Sequence, residues 1–138
     1  MNMELERFII AQEQSYQTAL QEIKNGKKQS HWMWFIFPQI KGLGISSMAA
    51  YYAIQTKGEA EAYLAHPVLG QRMREICQVL LKHRGCDVKT IFDYPDDLKL
   101  RSSMTLFYTV SENKLFQDVI DAFFDGELDP RTISILNQ

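Results

Sequence analysis

Three observations assign this 138-residue chain to the mostly all-α class. Apolar residues recur at helical spacing along most of its length. Capping residues and glycines interrupt that pattern at short intervals. Only two segments admit a strand: residues 88–92 and the aromatic run Trp32–Phe37. The expected architecture is a compact multihelical single domain over 1–138 with short connections.

The elements follow in order. Leu5, Phe8, Ile9, Gln12, Tyr16, Ala19, Leu20 and Ile23 predict a first helix over about 4–25, closed by Gly26 as its left-handed stop. The run His31 to Phe37, stopped by Pro38, reads as a short helix capped by Ser30 or as a buried strand, with the helix preferred because its surroundings are helical. Gly42, Gly44 and Pro38 make the next piece a loop. Ser46 or Ser47 caps a helix to about Gln55, and Gly58–Leu64 forms another. His66 reads as a cap and turn residue before Pro67, which opens a helix carrying Val68, Leu69, Met73, Ile76, Cys77, Leu80 and Leu81 on one face and ending at Lys82-His83-Arg84-Gly85. Pro95-Asp96-Asp97 opens a helix to about Val110 with acids in its first turn. Ser111 caps the next, which ends near Gly126, and Asp129-Pro130 caps a last one through Leu136.

Composition narrows the function classes. The chain is 46% hydrophobic and 12% aromatic, enough for a core without staples. Fifteen basic and 17 acidic residues give a net charge of -2, so the footprint of a nucleic-acid binder is missing. Cys77 and Cys86 make no disulfide framework and read as reduced thiols, as in a cytoplasmic protein. The first residues do not read as a signal peptide, and the longest apolar runs, Trp32–Phe37 and Met48–Ile54, are too short to span a bilayer. No metal-ligand spacing or nucleotide-loop motif occurs, so neither a metal nor a cofactor is expected.

Two constellations carry candidate chemistry. The first joins Lys27, Lys28, Ser30, His31, Trp32, Trp34, Pro38, Gln39, Gly42, Gly44 and Ser46. Cations and close-approaching glycine backbone suit an anion, and aromatic faces suit a ring. Its bland reading is an aromatic core beside a solvated turn. On a helix Trp32 and Trp34 point about 200° apart and cannot line one wall. The second joins Asp96, Asp97, Lys99, Arg101, Ser102 and Ser103. Asp97 and Arg101 are spaced for a surface pair, whereas two adjacent serines are an odd choice inside a helix and mark a site. His31 is the preferred acid or base among the histidines, since imidazole titrates near neutrality, with Asp96 or Asp97 as its partner.

Ser30-His31-Trp32-Met33-Trp34-Phe35-Ile36-Phe37-Pro38-Gln39 with Gly42-Leu43-Gly44 resembles the signature of the domain-of-unknown-function 1810 family. So do Tyr63-Leu64-Ala65-His66-Pro67-Val68-Leu69-Gly70 and Lys99-Leu100-Arg101-Ser102-Ser103-Met104-Thr105. The resemblance covers nearly the whole chain and implies a compact multihelical domain with no assigned reaction. A more distant similarity, to N-glycosidase-like domains linked to NAD, ADP-ribose and riboflavin-pathway metabolites, implies N-glycosidic chemistry. The expectation is therefore a binder or enzyme for a small anionic, phosphorylated nucleoside-like ligand. The alternative is a homo-oligomeric or partner-docking module without catalysis, suggested by the high aromatic content.

Overall fold

The computed structural model describes residues 5–138. The expected helix start at residue 4 and the reading of the N-terminal residues as no signal peptide lie in part outside them. The described residues form helices α1 (Glu6–Lys24), α2 (Met33–Ile36), α3 (Ser47–Tyr52), α4 (Lys57–Ala65), α5 (Leu69–Leu81), α6 (Val88–Ile91), α7 (Asp96–Ser111), α8 (Lys114–Phe124) and α9 (Pro130–Leu136), and no sheet. The all-helical class read from the sequence is the observed one.

Local chemistry explains most boundaries. α1 buries Phe8, Gln12, Tyr16, Ala19, Leu20 and Ile23 along one stripe, and Gly26 closes it with φ +80°, a conformation that only glycine adopts cheaply. Ser46 caps α3, Thr56 caps α4 and Asp129 caps α9, each side-chain oxygen accepting a backbone N–H of the first turn. The His66 ring does a similar job, its Nδ1 accepting from the N–H groups of Val68 and Leu69 at 3.1 and 3.3 Å, so α5 begins at Leu69 and not at Pro67.

Three local expectations change. Residues 88–91 are the helix α6 because Asp87 accepts the Lys89 N–H at 2.9 Å and starts a turn that β-branched Val88 and Ile91 then bury. Asn113, not Ser111, caps α8, while the Ser111 hydroxyl donates back to Phe107 O. Ser30 does not cap α2: the helix starts at Met33 with Trp32 at the cap position, two residues beyond it, and the Ser30 hydroxyl donates to Glu22.

α7 packs against α4, α8 and α9, and α5 packs against α1, α4 and α8. Phe8, Tyr63, Phe107 and Phe116 link these helices through successive ring contacts, and Trp32, Phe37 and Phe92 form a second, fully buried aromatic trio. Outside this core the chain makes one excursion. Ile40 and Ile54 meet in an isolated parallel bridge, with Lys41 N–H donating to Ile54 O at 2.9 Å and Ile54 N–H to Gln39 O at 2.8 Å. Residues 41–53 thus leave and return at one point, and α3, which rides on this excursion, has no buried residue.

Candidate functional site

The first turn of α7 meets the segment after α1 through one carboxylate. Asp96 takes Lys28 Nζ on Oδ2 at 2.9 Å and Lys99 Nζ on Oδ1 at 3.1 Å. Each ammonium also lies over an indole: Lys28 at 5.1 Å from the Trp32 centroid, Lys99 at 3.9 Å from that of Trp34. Burial alone would raise the Asp96 carboxyl, but the hydrogen bonds and charges of the two lysines outweigh it and hold the group below the usual carboxylate range. Asp96 is therefore a fixed anion at neutral pH that sets the position of Lys99.

The turn carrying Lys28 is shaped by a carboxylate the sequence did not single out. Glu22, on the buried side of α1, accepts from Gln29 N–H at 2.8 Å, Ser30 N–H at 3.0 Å, the Ser30 hydroxyl and Trp32 Nε1–H at 2.8 Å. Burial pushes its pKa up, but these donors, led by Ser30, prevail and lower it to about 2. Glutamate in an amphipathic helix reads as a surface residue, and only the folded turn brings four donors to it.

A cleft of about 440 Å³ opens beside Lys99. Trp34 of α2 and Gln39, Leu43 and Gly44 of the following loop form one side. Lys99, Arg101 and Ser102 of α7 face them, and Asp129, Pro130 and Arg131 at the start of α9 close the end. Arg101 spends Nε on Glu127 O and Nη2 on Leu128 O, both at 2.8 Å. The Arg131 side chain is exposed and has no hydrogen bond or ion pair to another described residue. Asp129 is committed locally: its Oδ2 accepts from Ser102, Thr132 N–H and the Thr132 hydroxyl. A second compartment of about 280 Å³ adjoins the cleft along Trp34, Gln39 and Gly44, with Gly42, Ala49, Tyr52 and Gln55 on its far side. Gly44 is needed there for close approach, since a Cβ at that position would meet Ala49 Cβ at 2.5 Å.

Several sequence candidates thus converge. Trp34, Gln39, Gly44, Lys99, Arg101 and Ser102 line the cleft, Gly42 borders the second compartment, and Lys28 stands behind Lys99 across Asp96. Others lie elsewhere. Trp32 is buried in the core and offers no face to a ligand. Ser30 is tied to Glu22. His31 is exposed, lines neither compartment and makes no hydrogen bond to a described residue. Asp97 and Ser103 are buried away from the cleft, and the surface pair expected between Asp97 and Arg101 is not formed. The hydroxyls of α7 have a structural use as well: Ser102 and Thr105 donate to carbonyls four residues back and fasten Asp129, through its carboxylate and its N–H. Arg131, Tyr52 and Gln55 were missed, because no periodicity brings residue 131 beside residue 99.

Among the described residues no cluster of three metal-ligating side chains occurs and no helix is long and apolar enough to cross a membrane. No curated protein matches the chain. A solved structure similar to it is the crystal structure of the conserved hypothetical protein Rv1873 from Mycobacterium tuberculosis, with 40% identity, a TM-score of 0.97, and coverage of 100% of this chain and 99% of that one. Residues 2–136 match the family described as "Protein of unknown function (DUF1810)". The signature around Trp32–Gln39, the helical fold and these two matches agree: the chain belongs to the DUF1810 family.

Proposed function

We propose that this protein binds a small phosphorylated, nucleoside-like ligand in the cleft between α2, α7 and α9. The observation that carries this reading is the charge of the cleft wall. Lys99, Arg101 and Arg131 line it against the single carboxylate Asp129, whose Oδ2 takes three donors from its own surroundings. Such a wall attracts an anion and gains little from a neutral or cationic ligand. Arg131 supplies a fork for phosphate oxygens, Lys99 a point charge held in place by Asp96, and Trp34 an apolar face beside them.

The geometry supports binding more directly than catalysis. N-glycosidic cleavage wants negative charge beside a cationic sugar-like transition state. Asp96 is locked between two lysines, and neither His31 nor Asp97 lines the cleft. In a thermal-shift panel of nucleoside monophosphates, ADP-ribose and orthophosphate, a ligand at about 100 times its Kd adds roughly 2.7 kcal/mol, or a rise on the order of a few degrees. Arg131→Ala and Lys99→Ala are expected to abolish that rise. A panel without a shift from any phosphate-bearing compound overturns the reading.

One observation favours the second reading, an interaction module. Ile45, Met48 and Tyr51, spaced by threes, are all exposed, and they make α3 and its approach an apolar surface. Under that reading the chain self-associates, or binds a partner protein, through α3. Sedimentation velocity that shows a monomer at high concentration, unchanged by Tyr51→Ser, counts against self-association.

A further inference from the structure

We infer that the second compartment seats a nucleobase, so that the ligand is a nucleoside monophosphate read at its base edge and not a bare sugar phosphate. The inference rests on the anionic-cleft reading above and deepens it.

The two compartments share Trp34, Gln39 and Gly44, so one molecule with a charged end and a flat end can span them. The second differs in chemistry from the first. Trp34 and Tyr52 supply aromatic rings, and Ala49 and Ala53 leave room for a planar group to approach. Its polar side chains are two amides, the half-buried Gln39 and the exposed Gln55, with the exposed Lys41, the Tyr52 hydroxyl and the Trp34 indole N–H beside them. A primary amide presents an acceptor and a donor side by side, which is the pattern of a base edge. The half-buried Gln39 side chain has no hydrogen-bond partner among the described residues. Gln55 donates one N–H to Ala53 O at 3.0 Å, which steadies its amide and leaves its Oε1 as an acceptor. A sugar ring in this place would need acceptors for several hydroxyl protons, and no carboxylate lines the compartment. Aromatic walls with paired amides are how proteins hold and read an extruded base, by stacking and edge hydrogen bonds.

Isothermal titration of the full chain with AMP, GMP, CMP and UMP, each against ribose 5-phosphate, tests this. All five carry the same phosphate charge, so a difference between them reports the base. At least one nucleotide is expected to bind about tenfold or more tightly than ribose 5-phosphate, the effect of one stacked and hydrogen-bonded base. Gln55→Leu, at a residue that lines the second compartment and not the cleft, should remove most of that advantage and leave ribose 5-phosphate binding unchanged. Arg131→Ala should weaken nucleotide and sugar phosphate by the same factor. Circular dichroism and the melting temperature of each variant show that it is folded, and Gln39→Leu, which borders both compartments, provides a second substitution that should also remove the advantage. If ribose 5-phosphate binds as tightly as every nucleotide, or the advantage survives both glutamine substitutions, the base compartment is refuted while the anionic cleft stands. If none of the five binds, both fall.

Discussion

Glu22 shows how one side chain sets the geometry of a site it does not touch. Its carboxylate gathers two backbone N–H groups, a hydroxyl and an indole N–H, and so fixes the turn that delivers Lys28 to Asp96. Hydrogen bonds to a charged acceptor are worth about 1.5–3 kcal/mol each, and removing the acceptor leaves its donors unsatisfied. Glu22→Gln is expected to cost about 2 kcal/mol or more in urea unfolding. The pH dependence has a definite sign. The folded-state pKa, about 2, lies below the ordinary 4.5, so the stabilisation is complete above that ordinary value and is lost as the pH falls through about 2. The E22Q variant should lack this acid-side loss. None of this was legible in the sequence, since the donors lie seven to ten residues along the chain. The aromatic signature was legible as important but not as to role: Trp32 reads like Trp34, yet one is core and the other borders the cleft.

At the scale of elements, α3 has no fully buried residue: its Tyr52 packs on Phe8 and Phe35, and polar ties hold the rest. Arg7 of α1 supplies several: Nε donates to Tyr51 O at 2.8 Å, and Nη2 to Ala53 O at 2.7 Å and to Glu59 at 2.9 Å. Arg7→Ala is expected to cost about 2 kcal/mol, by analogy with other charge-assisted bonds. It should also speed hydrogen exchange over residues 47–52 more than over α5. Arg7→Lys should not rescue it, because a single ammonium cannot reproduce the planar fork. Unchanged exchange in Arg7→Ala would mean that something else holds α3. Long elements were legible because α1, α5 and α7 repeat their apolar residues over many turns. Short ones were less so: α6 is four residues long, too short for periodicity to tell a helix from a strand, and its Asp87 cap decided the outcome.

For the whole molecule, stability rests on the aromatic core. Phe92 is fully buried against Trp32 and Phe37, and Phe92→Ala is expected to cost about 3–5 kcal/mol. Denaturant unfolding checks this, and a loss under about 1 kcal/mol would show that the trio contributes little. The helical class was legible because it depends on summed local pattern. The cleft was half legible: Trp34, Gln39, Gly44 and Lys99 were singled out, but Arg131 enters only because α9 folds back onto α7. The pinch between Ile40 and Ile54 adds a consequence for how such a protein can change. Within residues 41–53, Tyr52 packs on Phe8 and Phe35 and Arg7 holds Tyr51 O and Ala53 O, whereas Gly44, Ile45 and Ser46 are exposed. Doubling the length of a closed flexible loop costs only about 0.6 kcal/mol, so a short Gly-Ser insertion after Gly44 should barely move the melting temperature. The same stretch walls the second compartment and borders the cleft. The wall of both compartments can therefore drift through insertions after Gly44 and substitutions at Ile45 while the capacity to fold is left almost untouched.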